Sequence, residues 1–331
     1  MKTRDFITVL KFIGRAIIAT DHPLLAHLVV TRRCNLSCAY CNEYDKVSNP
    51  VPLDEMKERI AVLASFKTEA ITCTGGEPLL HPDMETIIQE IRRHGIIATM
   101  ITNGYLLTEE RIEKLNEAGL QELQISIDNI EPDEVSYKSL KVLDQKLQLL
   151  ADYAKFKVNI NSVLGISDER TPDAVAVARR AAHYGFSNSV GVLHDGNGTL
   201  EPLSEKQSQA YHEIGQISKS FAHALNHRLF QKNLIEGKSN NWKCRAGGRY
   251  LYVCEDGLVH WCSQRRGYPG IPLGEYTIED IKREFKTEKG CASLCTVSCV
   301  HQMSFLDEWR SKQTLPDPKR VQLLQIEGVD S

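Results

Sequence analysis

Residues 26–41 read AHLVVTRRCNLSCAYC: a short apolar, β-branched run that ends at Thr31 and opens within three residues onto Cys34, Cys38 and Cys41. Such a run, bounded by polar residues, predicts a buried strand whose C-terminal end carries chemistry. The same alternation repeats along the chain. Strands are predicted at 26–31, 69–74, 97–102, 122–127, 156–164 and 187–194, with helices near 53–66, 83–94, 108–118, 138–155 and 171–184. Asp83, Thr108 and Thr171 are placed as N-caps, the last followed by Pro172, and Gly95, Gly119 and Gly185 stand where helices end. Six strand-helix units predict an α/β fold with a parallel sheet, open or curled toward a barrel. Its chemistry belongs on the loops after the C-terminal strand ends. TGGEPLLHPD (74–83) holds that position after the second strand, and TNGY (102–105) after the third.

Composition bounds the function. The chain has 331 residues, 42% hydrophobic and 25% charged, with a formal net charge of −3. That balance offers no electrostatic ground for a nucleic-acid partner, and the pairs Arg32-Arg33, Arg179-Arg180 and Arg265-Arg266 read as solvated or locally paired. No secretory signal and no run of about 18 apolar residues stands out. A cytoplasmic location is therefore expected, where ten cysteines point to metal or redox chemistry rather than disulfides. Residues 1–25 form a separate amphipathic segment, with Phe6, Leu10, Ile13 and Ile17 at helical spacing. It reads as a helix packed on the main domain, or as a weak membrane contact or a lid for a greasy substrate.

Three thiols on one loop can converge on one metal centre. A structural zinc needs four ligands. His22, His27 and Cys73 are the available additions, but no regular finger spacing emerges. A four-iron cluster held by three thiolates leaves one iron open to bind another molecule.

The loop CNLSCAYC (34–41) resembles the C-x3-C-x2-C loop of radical S-adenosylmethionine (SAM) enzymes, with Tyr40 where that family places an aromatic residue against the adenine. TGGEP resembles the family's segment that grips SAM's amino group. The resemblance therefore implies SAM-binding roles for Gly75, Gly76, Glu77 and Pro78, and weaker ones for Asn103, Ser126, Asp128, Asn161, Ser162 and His194, the last beside Asp195. It covers roughly residues 26–195 and implies a partial (β/α)6 TIM-like barrel, taken here as 26–203. It also implies a SAM-binding 4Fe-4S cluster and SAM as cofactors, and an external one-electron reductant such as flavodoxin or ferredoxin. In that family one electron splits SAM, and the resulting 5′-deoxyadenosyl radical abstracts hydrogen from a substrate carbon.

A helical connection is expected over 204–240. The remaining stretch, 241–331, forms a small cysteine-rich extension in which GGRYLYVCEDGLVHWC (247–262) reads as a hairpin around a two-residue Asp256-Gly257 turn. This extension resembles the SPASM/twitch region of radical SAM enzymes, which carries an auxiliary 4Fe-4S cluster. Cys244, Cys262, Cys291, Cys295 and Cys299 are the candidate ligands, four being required, with Cys291 and Cys295 favoured among the last three. A two-residue turn puts Cys254 and Cys262 on opposite hairpin faces and removes Cys254 from the set, a conclusion that a one-residue bulge would reverse. Spacings of four put Cys291, Cys295 and Cys299 on one helical face. A zinc staple is the alternative occupant of this site. The expected function is hydrogen abstraction from a small-molecule or peptide substrate, the auxiliary cluster supporting oxidation or bond formation. A lipid-like substrate, or a non-catalytic iron-sulfur electron-transfer or binding protein, are the alternatives.

Overall fold

The computed structural model describes residues 14–165, 167–193, 203–217 and 231–310. Strands β1 (Leu25–Thr31), β2 (Ala70–Gly75), β3 (Ile97–Thr102), β4 (Glu122–Ile127), β5 (Lys157–Leu164) and β6 (Ser187–Val192) alternate with helices. These are α1 (Leu53–Ser65), α2 (Met84–Arg93), α3 (Glu109–Ala118), α4 (Leu140–Tyr153) and α5 (Thr171–His183). Every neighbouring pair from β1 to β6 is parallel. The result is the α/β arrangement of a partial TIM-like barrel. Further along lie α6 (Glu205–Ile217), α7 (Lys232–Ile235), strands β7 (Tyr250–Val253), β8 (Leu258–His260) and β9 (Pro269–Pro272), and helices α8 (Ile278–Lys286) and α9 (Ser298–Phe305).

The C-terminal hairpin is no separate sheet. β7 pairs in parallel with β1, so the nine strands run β6-β5-β4-β3-β2-β1-β7-β8-β9. Alternation sorts the side chains of the parallel strands. Leu28, Ile71, Met100, Ile125 and Ile160 pack with the helices in the main core, while His27, Thr72, Thr99, Gln124, Asn159 and Asn161 occupy the other, inner face.

Thr108 caps α3 by accepting from the Arg111 N–H at 3.1 Å, and Gly119 ends that helix in the left-handed conformation. Asp83 holds the N-cap position of α2 without a side-chain cap bond. Thr171 departs from expectation: Arg170 is the N-cap, and Thr171 is the first helical residue, its hydroxyl donating to the Ser167 carbonyl. Of the predicted N-terminal segment residues 14–25 are described, and 14–18 are helical. Much of the connection expected over 204–240 also lies outside the described residues.

Two C-terminal expectations are corrected. Val253 pairs with Val259 and Tyr252 with His260, so the hairpin loop has three residues, Glu255, Asp256 and Gly257. Gly257 closes it at φ 80°, the left-handed position that such loops require. Continuing that register sets Cys262 opposite Tyr250, which places Cys254 and Cys262 on the same face. Second, Cys291, Cys295 and Cys299 do not share one helix. Cys291 lies in a 3-10 turn (Gly290–Leu294), Cys295 follows it in extended backbone, and Cys299 lies in α9.

Candidate active site

The cysteine loop leaves β1 and is held by its own backbone and by neighbouring cations. Lys46 Nζ donates to the carbonyls of Cys34 and Leu36 at 3.0 and 2.7 Å, and Arg32 and Arg266 both donate to the Asn42 carbonyl. Cys34, Cys38 and Cys41 lie near enough on the loop for Cys38 to act electrostatically on the other two. Burial pushes the Cys34 and Cys41 thiols up, and a thiolate there needs a cation to neutralise it. The Leu36 N–H points at Cys34 Sγ from 3.4 Å, and Asn103 Nδ2 lies 3.8 Å from the same sulfur.

The TGGEP segment packs directly on this loop. A Cβ on Gly75 would stand 2.1 Å from the Thr31 carbonyl oxygen, and one on Gly76 would stand 2.3 Å from that of Arg32. The N–H groups of Gly76 and Glu77 donate to the carbonyls of Thr31 and Arg33. Glycine is required here because two backbones touch. Glu77 is fully buried. It accepts from Leu79 N–H, Thr102 Oγ1 and Asn103 N–H at 3.0, 2.6 and 2.7 Å. A carboxylate has about four acceptor positions, so one remains for a further donor.

Residues 28–195 match the Radical SAM superfamily, about half of the chain. The chain belongs to the Radical SAM superfamily. It is an enzyme, and its family implies a 4Fe-4S cluster and SAM. GTP 3′,8-cyclase of Aquifex aeolicus is 32% identical over 161 residues, covering 44% of this chain and 49% of the relative. The chain thus spans about half the length of that curated relative. Among solved structures, SuiB of Streptococcus suis bound to the precursor peptide SuiA superposes with a TM-score of 0.59 at 14% identity, over 95% of this chain and 79% of SuiB. AnSMEcpe with bound AdoMet and Cp18Cys peptide gives 0.54 at 16% identity, over 92% and 100%. These two likenesses concern the fold.

The loop supplies the donor set that the family's cluster calls for, three thiols within eight positions. Tetrahedral zinc, with Zn–S bonds of about 2.3 Å, needs thiolates about 3.8 Å apart. Among the described residues, the group that brings three ligand atoms within 4.8 Å of one another is Cys254, Asp256 and His260, and no such trio arises among Cys34, Cys38 and Cys41. In that other group His260 Nδ1 already accepts the Gly267 N–H.

The other residues implied for SAM divide. Tyr40 donates to Asp128 Oδ2 and accepts from Lys138 Nζ at 2.5 Å. Asp128 is fully buried, and its Oδ1 has no hydrogen-bond partner, an acceptor left over at the strand end. Asn103 turns its amide toward the loop, donating to Asn35 at 2.7 Å. Ser126 and Asn161 stand on the inner face, Asn161 accepting from Ser189 at 3.0 Å. Ser162 is buried on the helix side and donates to the Ser189 carbonyl, so it cannot share the role open to Asn161. His194 and Asp195 lie outside the described residues. Sequence reasoning missed Lys138 and Ser136, which no local pattern marks.

The C-terminal thiols sort by the groups that act on them electrostatically. Cys295 interacts with Cys244, Cys262 and Cys291, and Cys262 with Cys244 and Cys291. Cys299 instead interacts with Tyr250 and Glu43, and Cys254 with Glu255, Arg266 and Asp256 at the hairpin tip. Cys254 therefore stands apart because of distance along the strand, not because of its face. The quartet too lacks any trio within 4.8 Å. Cys244 and Cys262 pack with Val29, Tyr250 and Tyr252, on the flank of the inner face formed by β1 and β7. Cys73 is a fully buried core residue, its thiol pushed up to about 12 by burial. His22 and His27 join neither set of thiols: the His22 backbone contacts Arg249, and the His27 ring packs on Tyr250 and Tyr252.

Proposed function

We propose that this radical SAM enzyme oxidises, or forms a bond in, a polar small molecule or peptide, with a second four-iron cluster on Cys244, Cys262, Cys291 and Cys295. The electrostatic proximity of those four thiols, beside the inner face, carries the reading. Bound at the first site, cluster and SAM supply a radical that abstracts hydrogen. The chain's own contribution is to hold them: three cysteines for the cluster, the free acceptor position on Glu77 for SAM's ammonium, Tyr40 for the adenine, and Asp128 and Asn161 for the ribose side. An external one-electron donor completes the cycle.

The inner face supports a polar substrate over a lipid-like one. Thr72 and Thr99 hydroxyls bond at 2.6 Å, and Asn159 donates to Gln124 and Ser189 at 3.2 and 2.8 Å. An acyl chain laid there would bury amides and hydroxyls without adding partners. Relatives named for a nucleotide and bound to a peptide agree with a polar substrate.

Iron and sulfide counts after anaerobic reconstitution test the reading. The parent should hold about eight irons, and the variant with Cys34, Cys38 and Cys41 all changed to Ala about four. Cys295→Ala should lose about four irons while Cys299→Ala loses none. Loss on Cys299→Ala, or zinc in place of iron in the triple variant, overturns the auxiliary-cluster assignment. Absence of 5′-deoxyadenosine after incubation with SAM and a strong reductant overturns the reaction.

A further inference from the structure

Between β4 and α4, residues 129–139 close over the cysteine loop. The Ala39 N–H donates to the Val135 carbonyl at 2.9 Å, and the Ser136 hydroxyl lies 3.6 Å from Cys38 Sγ. Asp133 shapes this segment: its Oδ1 accepts from the N–H groups of Val135 and Ser136, and Arg170 at the start of α5 pairs with its Oδ2. The segment is thus anchored from outside and pressed onto the loop.

Lys138 ends it. Its Nζ donates to Tyr40 Oη at 2.5 Å, stands 3.3 Å from Asp128 Oδ2, and lies 5.1 Å from the centroid of the Tyr40 ring. Burial works against the ammonium, yet the Asp128 carboxylate and the hydrogen bond to the Tyr40 hydroxyl outweigh it and hold the Lys138 pKa above its ordinary value. The ammonium acts electrostatically on both Cys38 and Cys41.

We propose that residues 129–139 form a tuning and positioning element for the cluster held by Cys34, Cys38 and Cys41. In it Lys138 and Ser136 raise the cluster's reduction potential, Asp128 opposes them, and the Tyr40–Asp128–Lys138 network fixes the tyrosine ring. This rests on the reading of that site as an iron-sulfur cluster. Reduction adds one negative charge to the cluster. A nearby ammonium and a hydroxyl directed at a cluster thiolate stabilise the reduced form, and a nearby carboxylate destabilises it. Lys138 and Asp128 therefore act with opposite sign, although either substitution breaks the same hydrogen-bonded network. Lys138 and Ser136 are positioning residues in this account, while Asp128, which also serves the ribose side of SAM, adds the opposing charge.

The experiment is a redox titration of the reconstituted full-length protein followed by electron paramagnetic resonance, with the signal of the first cluster assigned by its loss in the Cys34/Cys38/Cys41→Ala variant. Lys138→Met should move the midpoint to more negative potential, Ser136→Ala should move it the same way by less, and Asp128→Asn should move it to more positive potential. Lys138→Arg should restore the parent value. Calorimetric SAM binding should weaken several-fold in Lys138→Met and recover in Lys138→Arg. Midpoints unmoved in both Lys138→Met and Asp128→Asn, or moved in the same direction, overturn the proposal, because mere loss of packing has no reason to give opposite signs. If the parent shows no signal that depends on the three cysteines, the cluster reading itself fails and takes this proposal with it.

Discussion

Single residues show how far burial reshapes chemistry in this chain. The His22 ring is brought down to about 4 by burial and by the Arg249 guanidinium, and His301 to about 3 by burial. Both side chains are nearly inaccessible. In the unfolded chain both rings take up a proton near pH 6.5, whereas in the fold they stay neutral to about 4 and about 3. Between those limits the unfolded state holds more protons, so stability rises with pH and is lost as pH falls from 6.5 toward 4. Each ring contributes a slope of roughly 1.4 kcal/mol per pH unit within its window. Urea unfolding at pH 7 and pH 5 checks this, and because burial also brings the His27 ring down to about 4, His301→Phe should remove at most about a third of the difference. At this scale the cysteine loop was fully legible, because its ligands are neighbours in sequence. Lys138 was not: it meets Tyr40 across 98 positions.

At the scale of elements, cap chemistry and close approach explain most boundaries. Thr108 and Gly119 bracket α3 as their residue types imply, and the capping box of Thr277 and Asp280 starts α8. Gly75 and Gly76 bear on function through packing, since the backbone of residues 31–33 fills the space their side chains would need. Gly76→Ala should therefore push the cysteine loop off the sheet. The expected outcome is near-parent far-ultraviolet circular dichroism with at least a severalfold loss of iron at the first site; full iron loading would remove the glycine from this role. The hairpin marks the opposite case. Asp256-Gly257 is a good two-residue turn by composition, yet the chain makes a three-residue loop, because Arg59 of α1 donates to the carbonyls of Cys254 and Glu255 and holds the turn from outside.

Across the whole molecule, one buried ion pair ties the two ends to the sheet. Arg249 and Asp307 are both inaccessible and bonded at 2.6 and 3.1 Å, and Arg249 also donates to the carbonyls of Ala16 and His22. Removing one partner strands a buried charge, at a cost of about 3–5 kcal/mol. Asp307→Ala should lose that much in urea unfolding, and the double variant Arg249→Met/Asp307→Leu should lose distinctly less. Equal losses would mean that packing, not charge, decides the clasp. No helix among the described residues is long and apolar enough to cross a membrane.

The sequence by itself determined the parallel α/β architecture, its six strand-helix units and the cysteine loop at the end of β1. Each of these is written in local periodicity, cap residues or ligand spacing, interactions that act within a few positions. Only the tertiary structure decided which C-terminal thiols lie near one another, that the hairpin extends the main sheet beside β1, and that a lysine after β4 reaches Tyr40 of the cysteine loop. Those facts depend on chain crossings between residues far apart, where register and burial choose among side chains that local pattern leaves equivalent.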